Sequence, residues 1–578
     1  MSQAPLLCDL LVIGSGAGGL SAAVAGAALG LNVVLAEKEP LVGGTTAMSG
    51  GWMWVPGNHL ARAAGIEESI EEPMAYLRHE LGRFHDEERL LAYLEHAPRM
   101  LEFFEQRSQL RFVDGNAIPD FHGNSPHAAT GGRSVCAAPF DARALGDWRD
   151  KLKPPLPETT LWGMGLAAGA DLRHFLDATR SPRSLAYVTR RLARHGADLL
   201  AHGNAMQLRG GQALAGALLT TALQAKVDLR LQTQAKRLLV MKGRVVGAQL
   251  STPEQDYIVH ASRGVVLACG GFPHDGARIR QLLPHAPSGA EHWSAASGGN
   301  TGDGLRMGEA AGGQVARDLV QAAALAPGSL VPRGGGRHAH FPHLAERGKP
   351  GLIAVLENGQ RFVNEADSYH DFMAALLRAT PEGVAPRAWL ICDHVFIRRW
   401  GLGAAKPAPF PVQPWVDKGY LTRANTLDEL AAACNMNPYS LKATVETFNR
   451  YAARGVDESF HKGETPYNRM QGDAAHSLPN ACMAPIAAPP FYALQVLPGS
   501  LGTFAGLAVN PHAQVLGNQG APITGLYAAG NDANSLFGGH YPSGGITLGP
   551  AMTFGYLAAH HAAGAAPLPP RSLDLEIL

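Results

Sequence analysis

An α/β fold is predicted by three stretches of the 578-residue chain. One is a strand, glycine turn, helix and second strand over residues 8–37. The others are apolar strands that run into glycine turns at 263–271 and 525–532. A strand that is apolar throughout is buried on both faces, which is the habit of parallel sheets covered by helices. The expected architecture is therefore a parallel sheet contributed by both ends of the chain, with an α+β domain inserted between them.

Taken in order, Cys8-Asp-Leu-Leu-Val-Ile13 is a short apolar strand. It enters Gly14-Ser15-Gly16-Ala17-Gly18-Gly19, an alanine-rich helix to about Leu29, and a second strand, Asn32 to Ala36, ending at Glu37. Gly14 permits the tight turn, Gly16 lets the backbone approach a pyrophosphate, and Gly19 lets the helix lie close on the sheet. The helix N-terminus then stabilises phosphate charge, and Glu37 is placed to accept from an adenosine ribose. A lone glycine fingerprint is a weak signal, but strand, turn, helix, strand and acid at this spacing specify a Rossmann-type dinucleotide site. No charged residue occurs from Leu10 to Ala36, a length that suggests a membrane helix. The glycines and the change from strand-like to helix-like pattern assign it to the soluble unit instead, and it lacks the basic region of a signal peptide.

Composition bounds the rest. Hydrophobic residues make up 46% and charged residues 17%, with 49 Lys+Arg against 49 Asp+Glu. A net charge of zero argues against nucleic acid or an anionic membrane as the main partner. Six scattered cysteines without a C-x-x-C pair read as free thiols, and a cytoplasmic protein without an integral membrane segment is expected. His560-His561 has no further ligands at fixed spacing, so no metal site is expected. Residues 66–110 and 171–225 have helical periodicity, for instance Glu88 to Phe104, and residues 114–160 are loop-like. The domain plan is a first nucleotide-binding part at 1–302 with a helical insertion at about 66–225, an inserted catalytic domain at 303–487, and a C-terminal nucleotide-binding part at 488–578.

The run Gly43-Gly44-Thr45-Thr46-Ala47-Met48-Ser49-Gly50-Gly51, the strand to Ala268-Cys269-Gly270-Gly271, and Gly525-Leu-Tyr-Ala-Ala-Gly530-Asn531-Asp532 resemble FAD-dependent oxidoreductases of the fumarate reductase and succinate dehydrogenase flavoprotein superfamily. That resemblance spans nearly the whole chain and implies one FAD closed in by both chain ends. It implies a cofactor set of Gly14, Gly16, Ala17, Gly18, Gly19, Glu37 and Lys38, then Gly44, Thr45, Thr46, Ser49, Gly50 and Gly51. The later members are Ala235 (backbone, against the adenine), Ala268, Gly270, Asn300, Asp303, Gly530, Asn531, Gly545, Ile546 and Leu548. The loop after the fingerprint has no His for a covalent link, so non-covalent FAD is expected.

Three segments separate the chemistries of that superfamily. Fumarate reductases share Gly359-Gln-Arg361-Phe-Val-Asn364-Glu365 and then place an Arg about five residues after the Asn, where this chain has Tyr369. They carry a His where Gly502 stands and an Arg near Tyr541-Pro542. A desolvated dicarboxylate needs charged partners, and an unpaired buried anion costs several kcal/mol. Fumarate and succinate are therefore poor substrates for this sequence.

The same segments, with Gly43 to Pro56, resemble 3-ketosteroid Δ1-dehydrogenases and related cyclic-ketone dehydrogenases. The resemblance implies a base, Tyr369, that removes a proton α to a ketone while hydride passes from the β-carbon to flavin N5. Tyr541 and the Gly545 N–H would donate to the ketone oxygen, where two aimed donors lower the barrier. A tyrosine base needs its pKa lowered. The steroid family usually has another active-site tyrosine where this chain reads Phe121-His122; either His122 relays protons or the pocket suits another ketone. Tyr187 is an alternative base of lower rank, since tyrosine at helical spacing is usually core. Trp52, Trp54, Phe121, Trp162, Trp293 and Phe537 are candidate pocket walls. The expected partners are a small-molecule ketone and an unidentified electron acceptor, a quinone or an electron-transfer protein. The alternatives are a fumarate-reductase-like or ene-reductase enzyme, and an electron-relay subunit; the relay would need cysteine clusters or a C-x-x-C-H that this sequence lacks.

Overall fold

In the computed structural model, which describes residues 5–564 except Ala168, the expected strands join one eight-stranded sheet. Its parallel part runs Asp228–Arg230, Val33–Ala36, Leu6–Ile13, Asp256–Leu267. The last of these strands forks. Its first residues pair antiparallel with Arg244–Ser251, which in turn pairs with Gln234–Met241, and its last residues pair parallel with Pro522–Ala528. Sheet and sequence agree here because Leu10, Leu11, Val12, Val265, Val266 and Leu267 are all fully buried, as strands covered on both faces must be.

Register decides where a ligand can sit. Ile13 is level with Ala36 and Leu267, and Leu267 with Ala528. The next residues, Gly14, Glu37, Ala268 and Ala529, therefore leave the sheet side by side at its carboxyl edge, where ligands of open α/β sheets bind. The fingerprint helix Ala17–Ala28 packs against the C-terminal helix Leu548–Ala563. Their contact needs Gly555, because a Cβ there would stand 2.4 Å from the Gly18 carbonyl oxygen. A hydrogen bond from Ser21 Oγ to the Met552 carbonyl (2.7 Å) ties the two helices.

The inserted unit is built on a four-stranded antiparallel sheet, Leu352–Val355, Ala388–Cys392, Phe491–Val496 and Thr422–Ala424 in spatial order. Phe491–Val496, beyond residue 487, supplies the third strand of that sheet. Its floor is an ion-pair network. Arg361 meets Glu365 (2.8 Å) and Asp457 (2.8 Å), and Lys462 meets Glu365 (3.1 Å), with Glu365, Asp457 and Lys462 at zero exposure. Arg361 is thus a structural cation. Among the described residues no disulfide forms and no helix is long and apolar enough to cross a membrane.

Candidate active site

Four backbone turns meet at the carboxyl edge of the sheet, and their glycines show what the edge is shaped for. Gly14 has φ +106°, and a Cβ on it would lie 2.2 Å from the Ala268 carbonyl oxygen; one on Gly19 would lie 1.9 Å from the Gly14 oxygen. Gly16 is different. A Cβ there would meet only Thr46 Oγ1, at 3.6 Å, so the face of the turn in front of the helix N-terminus is open. Gly18 stands against Ala529 and Gly530 from the far end of the chain. Open backbone at a helix N-terminus, walled by two chain ends, fits a pyrophosphate.

The side chains around that edge are tied down. Glu37 accepts from Ser15 N (3.0 Å), Ser15 Oγ (2.6 Å) and Glu39 N (2.9 Å). Thr46 Oγ1 accepts from Ala17 N (2.9 Å), and Thr45 Oγ1 accepts from Ser297 N and Asn300 Nδ2 (3.0 Å each). Ser49 Oγ donates to the Thr46 carbonyl and accepts from Gly51 N. Asn300 packs on Gly270, and Lys38 pairs with Asp303 at 2.5 Å. Ala235 and Asp303 share a groove of about 280 Å³. Gly530, Asn531 and Ile546 share a crevice of about 30 Å³ with Thr503 and Arg89, just ahead of Leu548 at the start of the C-terminal helix. The Arg89 Nε in it is buried without a partner.

Asp532 is a residue that sequence reasoning passed over. Fully buried, it accepts from Cys269 N (2.6 Å) and Gly271 N (3.0 Å), so it clamps the 269–271 turn onto the C-terminal segment. Burial pushes its pKa up. The available signal was a carboxylate in an otherwise apolar glycine turn.

Beyond these turns, Tyr369, Tyr541 and Phe121 come together from segments more than a hundred residues apart. Ring centroids are 5.1 Å apart for Tyr369 and Tyr541, 5.6 Å for Tyr369 and Phe121, and 5.7 Å for Phe121 and Tyr541. Tyr467, His370 and Phe504 complete the cage. Burial pushes Tyr541 up to about 12, with Tyr369 and Thr547 opposing it; burial, then the neighbouring Tyr541, hold Tyr369 well above its usual value, with the Arg347 charge opposing.

Each cage residue has a local cause. Tyr369 opens the helix Tyr369–Ala379, capped by Ser368, whose Oγ accepts from Asp371 N. Phe121 is held by its N–H to the Pro542 carbonyl (3.0 Å), which also accepts from Tyr76 OH (2.7 Å). Gly545 has φ +98°, and a Cβ would lie 2.7 Å from Met53 backbone, so its place admits only glycine. At Gly502 a Cβ would lie 2.3 Å from Asn531 Nδ2, so a side chain there would have to displace the Asn531 amide. Beside Tyr541, His540 Nε2 and Ser543 Oγ are buried without a protein partner.

Several expectations change. His122 has no nitrogen to spare for a relay: Nδ1 meets Glu80 and Nε2 meets Asp371 (2.9 Å). Burial would lower its pKa, but the two carboxylates outweigh that and raise it to about 10. It is a cationic clamp between the helix Glu71–Leu81 and the Tyr369 helix. Tyr187 lies outside the cage. Its hydroxyl donates to Asp171 (2.6 Å), which also binds Arg191, and its ring stacks on His174. Trp162 and Trp293 are 66% and 37% exposed, Trp162 lying against Phe410, while Trp54 and Phe537 pack on each other in the core. Tyr467, 4.5 Å from the Phe121 ring, was missed because only folding brings it there.

A parallel sheet with a phosphate-shaped turn, closed by the C-terminal segment and facing a buried tyrosine pair, defines the class of flavin-dependent oxidoreductases. The family model described as FAD binding domain matches residues 9–548, and the chain belongs to that family. Over 96% of its length it is 37% identical to 4-oxocyclohex-2-ene-1-carboxylate 5-dehydrogenase of Sinomonas cyclohexanicum, of which 94% is covered. It is 35% identical to 3-oxosteroid 1-dehydrogenase of Mycobacterium tuberculosis, over 96% of this chain and 98% of that one. Among solved structures, 3-ketosteroid Δ1-dehydrogenase of Sterolibacterium denitrificans in complex with 1,4-androstadiene-3,17-dione superposes with a TM-score of 0.89 at 37% identity, covering 96% and 99% of the two chains. A flavocytochrome c3 fumarate reductase shares the fold, with a TM-score of 0.63 at 22% identity, over 97% of this chain and 79% of that one. The protein is an FAD-dependent oxidoreductase, and FAD is its cofactor.

Proposed function

We propose that the protein introduces a C=C bond next to the carbonyl of a cyclic ketone, of steroid or cyclohexanone type. The observation that carries this is the Tyr369–Tyr541 pair, ring centroids 5.1 Å apart in a buried aromatic cage, with glycine at 502 and tyrosine at 541 where a dicarboxylate would need cations. The activities for which the two relatives are named support the same class.

In this reading Tyr369 takes the proton α to the carbonyl, and Tyr541 hydroxyl with the Gly545 N–H holds the ketone oxygen as it gains charge. FAD along the glycine turns supplies the acceptor for the hydride lost from the β-carbon. Before substrate enters, the Tyr369 and Tyr541 rings pack edge to face. A ketone oxygen that takes the Tyr541 hydroxyl leaves the Tyr369 hydroxyl to face the α-carbon. The closed cage excludes water, which strengthens both donors.

Anaerobic mixing with 4-androstene-3,17-dione, 4-oxocyclohexanecarboxylate and succinate, followed by flavin absorbance, tests the reading. A ketone should bleach the flavin and succinate should not; bleaching by succinate alone overturns it. Tyr369→Phe should lower the bleaching rate by roughly 10²–10⁴-fold, and Tyr541→Phe by roughly 10²–10³-fold. A Tyr369→Phe enzyme with full turnover would remove the base assignment.

A further inference from the structure

Arg347 is the cation that the site does not yet explain. It lies in the short turn Glu346–Gly348 at 1% exposure. Its donors end on carbonyl oxygens: Nε on His343 (2.9 Å), Nη1 on Glu365 (2.8 Å) and Asp367 (3.2 Å), Nη2 on Asp367 (3.2 Å) and Leu344 (3.4 Å). Its Cζ lies 4.8 Å from the centroid of the Phe372 ring, on the first turn of the Tyr369 helix. The guanidinium therefore sits directly beneath the segment that presents Tyr369.

The nearby carboxylates are engaged elsewhere. Glu365 is paired with Arg361 and Lys462, Asp371 with His122, and Glu346 with His343. The Asp367 side chain accepts from Asn468 Nδ2 (3.0 Å), and burial pushes it up to about 6. Burying a cation costs several kcal/mol unless its charge is used. The carbonyl dipoles hold the guanidinium in place but do not neutralise its charge. The groups facing Tyr369 are otherwise neutral: Phe121, Tyr541 and Tyr467, with His370 lowered to about 4 by burial. Arg347 is thus the cation whose field opposes burial at both Tyr369 and Tyr467. The partial positive charge at the N-terminus of the 11-residue Tyr369 helix acts in the same direction.

We propose that Arg347 is a positioning residue that acts electrostatically. Its buried charge, held under the first turn of the Tyr369 helix, favours release of the Tyr369 phenol proton against the burial that opposes it. This rests on the proposed role of Tyr369. It assigns the charge that counters burial at the base to a residue that does not touch substrate.

The test uses full-length, FAD-loaded enzyme carrying Arg347→Gln, Arg347→Met or Arg347→Ala, whichever retain FAD, beside Arg347→Lys. The rate of flavin bleaching by 4-androstene-3,17-dione or 4-oxocyclohexanecarboxylate is followed against pH. In the neutral variants the rising limb should move alkaline by roughly one pH unit or more, with much of the rate recovered at high pH; Arg347→Lys should stay nearer wild type. A second readout needs no substrate. The ultraviolet phenolate titration of each enzyme minus that of its Tyr369→Phe derivative should show Tyr369 ionising at higher pH without Arg347. A uniform loss of rate with an unmoved limb and titration overturns the proposal. So does failure of every neutral replacement to retain FAD, which would make Arg347 a folding residue. If instead Tyr369→Phe retains full bleaching, the base assignment fails and takes this inference with it; an inactive Tyr369→Phe with unmoved limbs refutes the inference alone.

Discussion

At the scale of single residues, a motif's chemistry depends on what its side chains meet. Arg361 and Glu365 of the shared GxRFVNE run are consumed by a buried network, and Tyr369 and His370 beyond them reach the cage. Burial alone would push the Glu365 carboxyl up; Arg361 and Lys462 outweigh it and hold it at about 2. A depressed carboxyl stabilises the fold fully above its unfolded value near 4.5 and loses that contribution as pH falls toward about 2. Acid unfolding followed by circular dichroism should therefore steepen across that window. Glu365→Gln should flatten it and cost roughly 3–5 kcal/mol at neutral pH, because Arg361 and Lys462 stay buried without their partner. The candidacy of Tyr369 was readable from its spacing after Asn364. The double engagement of His122 was not, because Glu80 and Asp371 lie 42 and 249 residues away.

Elements place those residues. The helix Tyr369–Ala379 is aimed by its Ser368 cap, the Arg347 cradle and the His122 clamp. His122, with its pKa raised to about 10, contributes stability that is complete below its unfolded value of 6.5 and fades as pH rises through about 10. His122→Gln should leave FAD bound yet slow flavin bleaching by roughly 10-fold, since small misplacements of a base are costly; an unchanged rate would show that the clamp does not position Tyr369. On the opposite side, Gly555→Ala forces apart the fingerprint and C-terminal helices, with a Cβ 2.4 Å from the Gly18 oxygen. Thermal melts should register roughly 1–3 kcal/mol of lost stability, and FAD titration should show weaker binding. Both helices were legible from periodicity and glycine placement; their crossing point was not.

For the whole molecule, the cofactor site is a seam between chain ends: Gly14 abuts Ala268, Gly18 abuts Gly530, and Asp532 bridges to residues 269 and 271. FAD should consequently stabilise the entire fold, and saturating it at about 100 times Kd should add roughly 2.7 kcal/mol to unfolding, readable as a higher Tm in calorimetry; a Tm indifferent to FAD would contradict the seam. The class of fold, the flavin and the first strand–turn–helix–strand unit were legible in the linear chain. Their signals are local: apolar runs, glycines at fixed offsets, an acid at the end of a strand. The reach of Tyr187 away from the cage, the fate of His122, the presence of Tyr467 and the charge of Arg347 under Tyr369 belong to tertiary structure alone. Phe121 meets Tyr467, His122 meets Asp371 and Arg347 meets Phe372 only once distant segments pack together, and no periodicity along the chain encodes those meetings.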